Sequence, residues 1–564
     1  MRSLPTAFVG LLVVAMSVVL ARSERATRET GPDLHEVDYV GSAECRRCHP
    51  MHAESFISTF HRTMTQDARR QGAVLGPFDG RTLRYAGHEA SFVREGEDYV
   101  VRIEAEGEAP RRYVVERTVG SHRYQQYLAR EGDTFVRLPV GFHVAEQRFF
   151  HMNEAFLLPD PPGADGEGPI ATADYDRHVT RWNDNCVFCH NVAPNPGLDE
   201  ALGTFDTEVA ELGVACEACH GPGREHVARN ADPIRRYVLH LSSRPDPTIV
   251  NPERLLPERS ADACGRCHGQ RITDDVGAFL AHGDPFVPGD DLALYSAPLF
   301  IDTTLHGEEV FGARFWSDGT PRLTAYEYQG LLESRCASEG ELTCTTCHGM
   351  HEGEPAGQIR PAQLGDAMCT GCHLSAERTP HPRDAPHASV DCASCHMPEV
   401  VFGLRSVHVS HRIDVPRPLT VAPGARPDAC VLCHAELDET RARVEPEEGA
   451  LFSLLLGGDP IQRSVAATAL GGAVRGVSPE DARGWLLTVM ADDPYPAVRA
   501  IAWSSLRTRE HLEDVTAFGP TDSASLRAQE VGALLQLLPH RLPTIERVRE
   551  LGMRRSAAAI DIGE

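Results

Sequence analysis

The chain has 564 residues, a formal net charge of -26 and 17 cysteines. All 55 of its Lys+Arg residues are arginine, so no lysine is available as a Schiff-base nucleophile, a phosphate-loop residue or a metal ligand. An acidic chain without a basic block repels a phosphate backbone, which excludes nucleic acid as a partner, and a hydrophobic content of 41% excludes wholesale disorder.

In chain order, Arg2 precedes an apolar run from Leu4 to Ala21 broken only by Thr6 and Ser17, and Val19 and Ala21 are small residues suited to cleavage before Arg22. Residues 1–21 read as a signal peptide and 22–40 as a linker. The alternative is an uncleaved single-span anchor, which would be the one membrane contact. Either way the rest is exported, to the periplasm or the cell surface.

Export permits disulfides, but the cysteine spacing points elsewhere. Sixteen of the 17 fall in eight Cys-x-x-Cys-His motifs. The first four are Cys45, Cys48 and His49; Cys186, Cys189 and His190; Cys216, Cys219 and His220; and Cys264, Cys267 and His268. The second four are Cys344, Cys347 and His348; Cys369, Cys372 and His373; Cys392, Cys395 and His396; and Cys430, Cys433 and His434. Two thiols one helical turn apart suit the two vinyl groups of one porphyrin, and the next residue then presents imidazole to the iron. The spacing therefore predicts eight covalently bound haem c groups. Zinc also uses paired cysteines, but it does not require histidine after every second one. Eight porphyrins would supply flat apolar surface, in keeping with an aromatic content of 6%. Cys336, outside every motif, reads as a small buried hydrophobe.

A second axial histidine would make each iron a saturated electron carrier, whereas an open position would allow chemistry. The best-placed candidates are His61, His122, His151, His178, His226, His351, His387, His408 and His411. A histidine so near its own motif is expected to reach a neighbouring haem rather than its own. His52, His88, His143, His240, His282, His306 and His381 read as surface or hydrogen-bonding residues.

Residues 41–165 carry the first motif and period-two segments, Tyr99–Ile103 and Arg112–Val119, that predict a small antiparallel β insertion. Residues 166–440 hold the other seven motifs among Pro- and Gly-rich connections. Residues 441–564 lack cysteine. There Asp459-Pro460 and Asp493-Pro494 open similar helical patterns with Arg463 and Arg499 in register, which predicts HEAT-like helical repeats and a protein-binding surface. The expected fold class is mainly α with long loops: a multihaem core wrapped around eight haems, a small β insertion and a C-terminal α-solenoid.

Tyr39-Val-Gly-Ser-Ala-Glu-Cys-Arg-Arg-Cys-His49, Trp182-Asn-Asp-Asn-Cys-Val-Phe-Cys-His-Asn191, Cys216-Glu-Ala-Cys-His-Gly-Pro-Gly223 and Cys392-Ala-Ser-Cys-His-Met-Pro398 resemble exported multihaem cytochromes of the cytochrome c-552/4 type. Glu327-Tyr-Gln329 followed by Leu342-Thr-Cys-Thr-Thr-Cys-His348 is similar too, and the resemblance covers roughly residues 38–440. It implies haem attachment after export and electron transfer. The leading reading is an octahaem carrier whose redox partners present a basic docking surface. The alternative is a multihaem oxidoreductase acting on hydroxylamine, nitrite or tetrathionate at one five-coordinate haem. Multihaem nitrite reductases commonly carry lysine at the catalytic haem, and this chain has none, so no catalytic residue is assigned.

Overall fold

The computed structural model describes residues 34–555 except 165–167, 243, 324, 354–356, 374–386, 388–389, 404, 417–424, 439 and 513–517, together with residue 560. The signal-peptide segment, the linker up to residue 33 and His381 lie outside the described residues. No helix among the described residues is long and apolar enough to cross a membrane. The chain divides into two units, one of Met1–Met64, Val187–Pro298 and Gly340–Pro361, the other of Thr65–Cys186, Leu299–Glu339 and Ala362–Glu564.

The first unit is built from short helices, among them Ser42–Cys48, Val187–His190, Cys216–His220, Arg224–Arg229, Pro233–Ser242, Pro257–Gly265 and Cys344–Cys347. Proline and glycine set several of their ends. Gly221 stops the Cys216–His220 helix at φ +73°, where a Cβ would also meet the Leu34 side chain at 2.9 Å. Leu34, Val250 and Val287 form a small apolar cluster in this unit.

The second unit contains the largest sheet. Strands β1 (Thr65–Asp67), β2 (Arg81–Tyr85), β3 (His88–Glu95), β4 (Asp98–Ala105), β5 (Arg111–Val119), β6 (Tyr124–Glu131), β7 (Thr134–His143), β8 (Arg148–His151) and β9 (Thr180–Arg181) form one sheet. Strands β2 to β8 run as an antiparallel meander, with β1 on β5 and β9 on β7. The first and last strands of the meander, β2 and β8, come together, so the sheet curls into a nearly closed barrel. Its interior holds Phe78, Tyr85, Phe92, Val101, Ile103, Tyr127, Phe142, Phe149 and Tyr175. At the β2–β3 turn Ala86 and Gly87 both have positive φ, and a Cβ on Gly87 would strike the Pro169 backbone at 2.3 Å.

This sheet corrects the expected fold class. The protein is not mainly α with a small β insertion; a nine-stranded antiparallel sheet dominates the segment after the first motif. The period-two signal marked β4 and β5, where buried Val101 and Ile103 alternate with exposed Arg102 and Glu104, and buried Val115 sits between the less buried Val114 and Glu116. β6 and β7 are buried on both faces over most of their length, and their buried residues include Gln125, Gln126 and Arg137, so neither shows an apolar–polar alternation.

Helices α1 (Ala450–Gly457), α2 (Pro460–Ala469), α3 (Pro479–Asp492), α4 (Pro496–Glu510), α5 (Ala524–Leu537) and α6 (Ile545–Arg554) complete this unit. Proline occupies the first turn of α2, α3 and α4, and Asp459, Ser478 and Ser523 cap α2, α3 and α5 through their side chains. Arg463 of α2 and Arg499 of α4 are fully buried, Arg463 on Asp493 at 2.7 Å and Arg499 on Asp160 at 2.8 Å. The second contact joins the helices to the barrel segment.

A buried charge cluster ties this unit together. Arg405, in the turn of the Glu399–Gly403 and Ser406–Val409 hairpin, meets Glu146 at 3.1 Å and Glu154 at 3.0 Å. Arg148 pairs with both glutamates, and Arg507 of α4 reaches Glu146 at 3.3 Å. Burial alone would raise the Glu146 carboxyl, but Arg405 and Arg148 outweigh it and bring its pKa down to about 2. A carboxylate so lowered stabilises the fold above its unfolded pKa, and that stability is lost as pH falls from about 4.5 toward 2. The urea midpoint should therefore drop over this window by an amount on the order of 2–3 kcal/mol in stability. Glu146→Gln should flatten that dependence, and an unchanged pH profile in the variant would contradict the assignment.

Candidate functional site

Each motif occupies about one turn of helix, with its histidine at or just past the end. The histidine backbone N–H donates to the carbonyl of the first cysteine at 2.9 Å in His49, His268, His348 and His434, and at 3.0 Å in His373. This closes the turn and places both cysteines on one side of it. None of the 17 cysteines is in a disulfide, and every motif cysteine is at least partly exposed as a residue.

Imidazoles from different parts of the chain face one another across fixed gaps. His226 stands parallel to His49 with ring centroids 6.3 Å apart, and His351 parallel to His220 at 6.0 Å. His61 stands across from His268 at 5.9 Å, and His387 across from His434 at 5.7 Å. The His387 and His434 Nε2 atoms are 3.5 Å apart. Two imidazoles on opposite sides of one iron, with metal–nitrogen distances of about 2 Å, have ring centroids roughly 6 Å apart. In each pair one ring belongs to a motif and the other does not. Among the described residues no three His, Cys, Asp or Glu side chains converge to cage a metal ion by themselves; His52, outside the motifs, also lies 6.2 Å from His49 and 4.6 Å from His351. The donor set, two thiols and two facing imidazoles, fits an iron porphyrin held through thioether bonds.

The electrostatics agree with neutral imidazole ligands. Burial, with His268 close by, lowers His61 to about 4, and burial with His220 close by lowers His351 to about 4. Burial likewise lowers His49 and His220. A neutral ring keeps a lone pair for metal.

Motif thiols from separate segments also meet. In the first unit Cys45 and Cys216, Cys189 and Cys267, and Cys264 and Cys344 are within hydrogen-bonding reach, and Cys219 lies close to Cys267. In the second unit Cys369 and Cys392 are paired in the same way, and Cys395 lies close to Cys430 and Cys433.

The remaining candidates sit differently. His151 is buried at the end of β8, its ring 4.3 Å from Tyr85 and 4.4 Å from Tyr175. His178 stacks on Phe156 at 4.2 Å. His122 lies beside Ser121 Oγ at 2.8 Å, and His408 Nε2 meets Glu327 at 3.0 Å with His411 at 6.2 Å. Cys336 is partly exposed and near Cys369.

Several supporting residues carried no sequence signal. Gln358 caps the Nδ1 of His61. Glu211 accepts from the Ser42 backbone at 2.9 Å and pairs with Arg62 at 2.9 Å. Glu217, buried inside the third motif, accepts backbone N–H groups from Val40 at 3.0 Å, Gly41 at 2.7 Å and Gly223 at 2.8 Å. It thereby fastens the start of the first motif's helix to the third motif. Only the glutamate between Cys216 and Cys219 hinted at this, and nothing in the pattern named its partners.

The chain is 28% identical over 195 residues to the C-type polyheme cytochrome OmcC of Geobacter sulfurreducens, a match spanning 33% of this chain and 22% of that protein. Among solved structures it resembles the outer cell wall cytochrome OcwA with a TM-score of 0.47 and 16% identity, over 87% of this chain and 99% of that one. No family model matches.

Glu217→Ala would leave three backbone donors without their acceptor, a loss on the order of 3 kcal/mol. The urea midpoint should fall accordingly, while Glu225→Ala, which removes an exposed pair with Arg229, should move it little. Equal midpoints for the two variants would remove Glu217 from this role.

Proposed function

We propose that this chain is an exported multihaem c-type cytochrome that carries electrons along covalently bound, mostly bis-histidine haems in the periplasm or at the cell surface. The observation that carries this reading is the set of four motif histidines, each facing a second imidazole from a distant segment at 5.7–6.3 Å. The eight motifs support a count of eight haems, and the similarity to a polyheme cytochrome supports the class. A saturated iron changes oxidation state without binding substrate, so such sites serve transfer rather than catalysis.

On this reading the axial assignments are His226 to the first motif's iron, His351 to the third, His61 to the fourth and His387 to the eighth. The thiol contacts support an order as well. Cysteines that touch across two motifs bring the corresponding porphyrin edges together, which is the arrangement short electron steps require. In the first unit the first motif meets the third, the fourth meets the second and fifth, and the third lies near the fourth at Cys219 and Cys267. In the second unit the order runs sixth, seventh, eighth. The C-terminal helices, with their repeated buried arginines, are read as a HEAT-like repeat offering a protein-docking face, and the redox partner as a protein with a basic surface.

A pyridine haemochrome assay should give eight haems per chain, with low-spin signals dominating the electron paramagnetic resonance spectrum of the oxidised protein. His61→Ala should convert one iron to high spin while the haem count stays at eight. A count well below eight would sink the attachment reading. A dominant high-spin signal in the unaltered protein that shifts on adding hydroxylamine or nitrite would sink the carrier reading.

A further inference from the structure

The structure assigns to Asp246 the role of setting the reduction potential at the first motif, by placing a carboxylate behind the imidazole that faces His49. This rests on the reading of His49 and His226 as one axial pair.

His226 lies on the helix Arg224–Arg229, its ring parallel to that of His49. Its Nδ1, the nitrogen turned away from an iron bound through Nε2, is 3.2 Å from Asp246 Oδ2. The carboxylate is held from several sides. Asn230 Nδ2 donates to Oδ2 at 2.7 Å, and Arg235 donates to Oδ1 at 2.7 Å. Thr248 donates to Oδ1 from its hydroxyl at 2.6 Å and from its backbone N–H at 3.0 Å. Asn230 Nδ2 and Thr248 Oγ1 also lie 3.1 Å and 3.5 Å from His226 Nδ1. Asp246 therefore cannot swing away from His226 without breaking four other hydrogen bonds.

Several motif histidines are backed differently. The Nδ1 atoms of His220, His348 and His396 meet backbone carbonyls, of Val250 at 2.7 Å, Gly357 at 2.9 Å and Asp414 at 2.8 Å. In the second unit His434 Nδ1 is 3.4 Å from Glu436 Oε1, but Arg475 lies 3.3 Å from that same oxygen. At Asp246 the arginine takes Oδ1, and the Oδ2 that faces His226 is shared with the neutral amide of Asn230 rather than with a cation.

An imidazole whose N–H points at a carboxylate gains imidazolate character and becomes a stronger donor. A stronger donor favours ferric over ferrous iron, so the potential falls. Asp246 is thus a positioning and tuning residue, acting through His226. It would make the first motif's iron harder to reduce than the irons whose ligands lean on neutral carbonyls. Arg235 sits on the exposed helix Pro233–Ser242, so a charge arriving at that helix would reach the ligand through the pair Arg235–Asp246.

The test is a spectroelectrochemical titration of the full haem-loaded chain. Asp246→Asn should move one haem's midpoint positive, with eight haems retained and the low-spin signals conserved in number. Asp246→Glu should recover part of the shift. Arg235→Gln, which removes the cation beside the carboxylate, should move the same midpoint negative, and it serves if Asp246→Asn fails to load its haems. Titration curves that superimpose on the unaltered protein for Asp246→Asn, or for Arg235→Gln where only that variant loads, would overturn the assignment. His226→Ala separates the two claims. If it leaves every iron low-spin, the axial pairing is wrong. If it produces one high-spin iron while the Asp246 and Arg235 variants leave the potentials unmoved, the pairing stands and Asp246 has no tuning role.

Discussion

The facing of paired imidazoles is the constraint on which much of the first unit depends. Its helices are a few residues long, too short to be stable by themselves. His61 meets His268, His49 meets His226, and His220 meets His351, so three remote segments are drawn onto one another at fixed gaps. Glu217 and Glu211 then fix the backbone of the first motif against the residues around the third. On the proposed reading, haem in these gaps would make each pair a crosslink with an iron at its centre, and the short helices would need little apolar core of their own.

The second unit solves its packing in a different way. A nearly closed barrel supplies its own core, and the charges of Glu146, Glu154, Arg148 and Arg405 hold the hairpin after the seventh motif against the barrel's last strand. Removing any one of these charges would leave the others buried and uncompensated, which is more costly than the pair was worth. The barrel also absorbs histidines. His88 is stacked on Tyr175, and His151, a candidate ligand in the sequence, is stacked on Tyr85 and tilted against Tyr175.

This contrast explains what the sequence made legible. The eight motifs are contiguous and carry their chemistry in five residues, so they can be read directly. The candidates His61, His226, His351 and His387 stand out because each lies close to a motif, and the structure sets each of them against the histidine of a different one. Which ring faces which is a property of chain folding, with His61 and His268 separated by 207 positions in the sequence, and no local pattern encodes it. The barrel was only half visible because β6 and β7 are covered on both faces and lose their alternation. Gln358 and Asp246 are ordinary polar residues in loops, and only their position behind a ring gives them meaning.

The thiol contacts add a step that neither the motifs nor the pairs supply alone. A linear series of haems needs each motif to touch at most two others. In the first unit the fourth motif meets two, through Cys267 to Cys189 and through Cys264 to Cys344, and lies near a third at Cys219. Its Arg266, between Cys264 and Cys267 in sequence, is buried and lies near both Cys189 and Cys267. On the proposed reading the fourth haem is therefore a junction, and an electron there has more than one onward route. The choice among routes is then set by relative potentials rather than by connectivity. That gives the differences behind the axial imidazoles a directing role: a low-potential first haem favours electron movement from it, through the third, toward the junction.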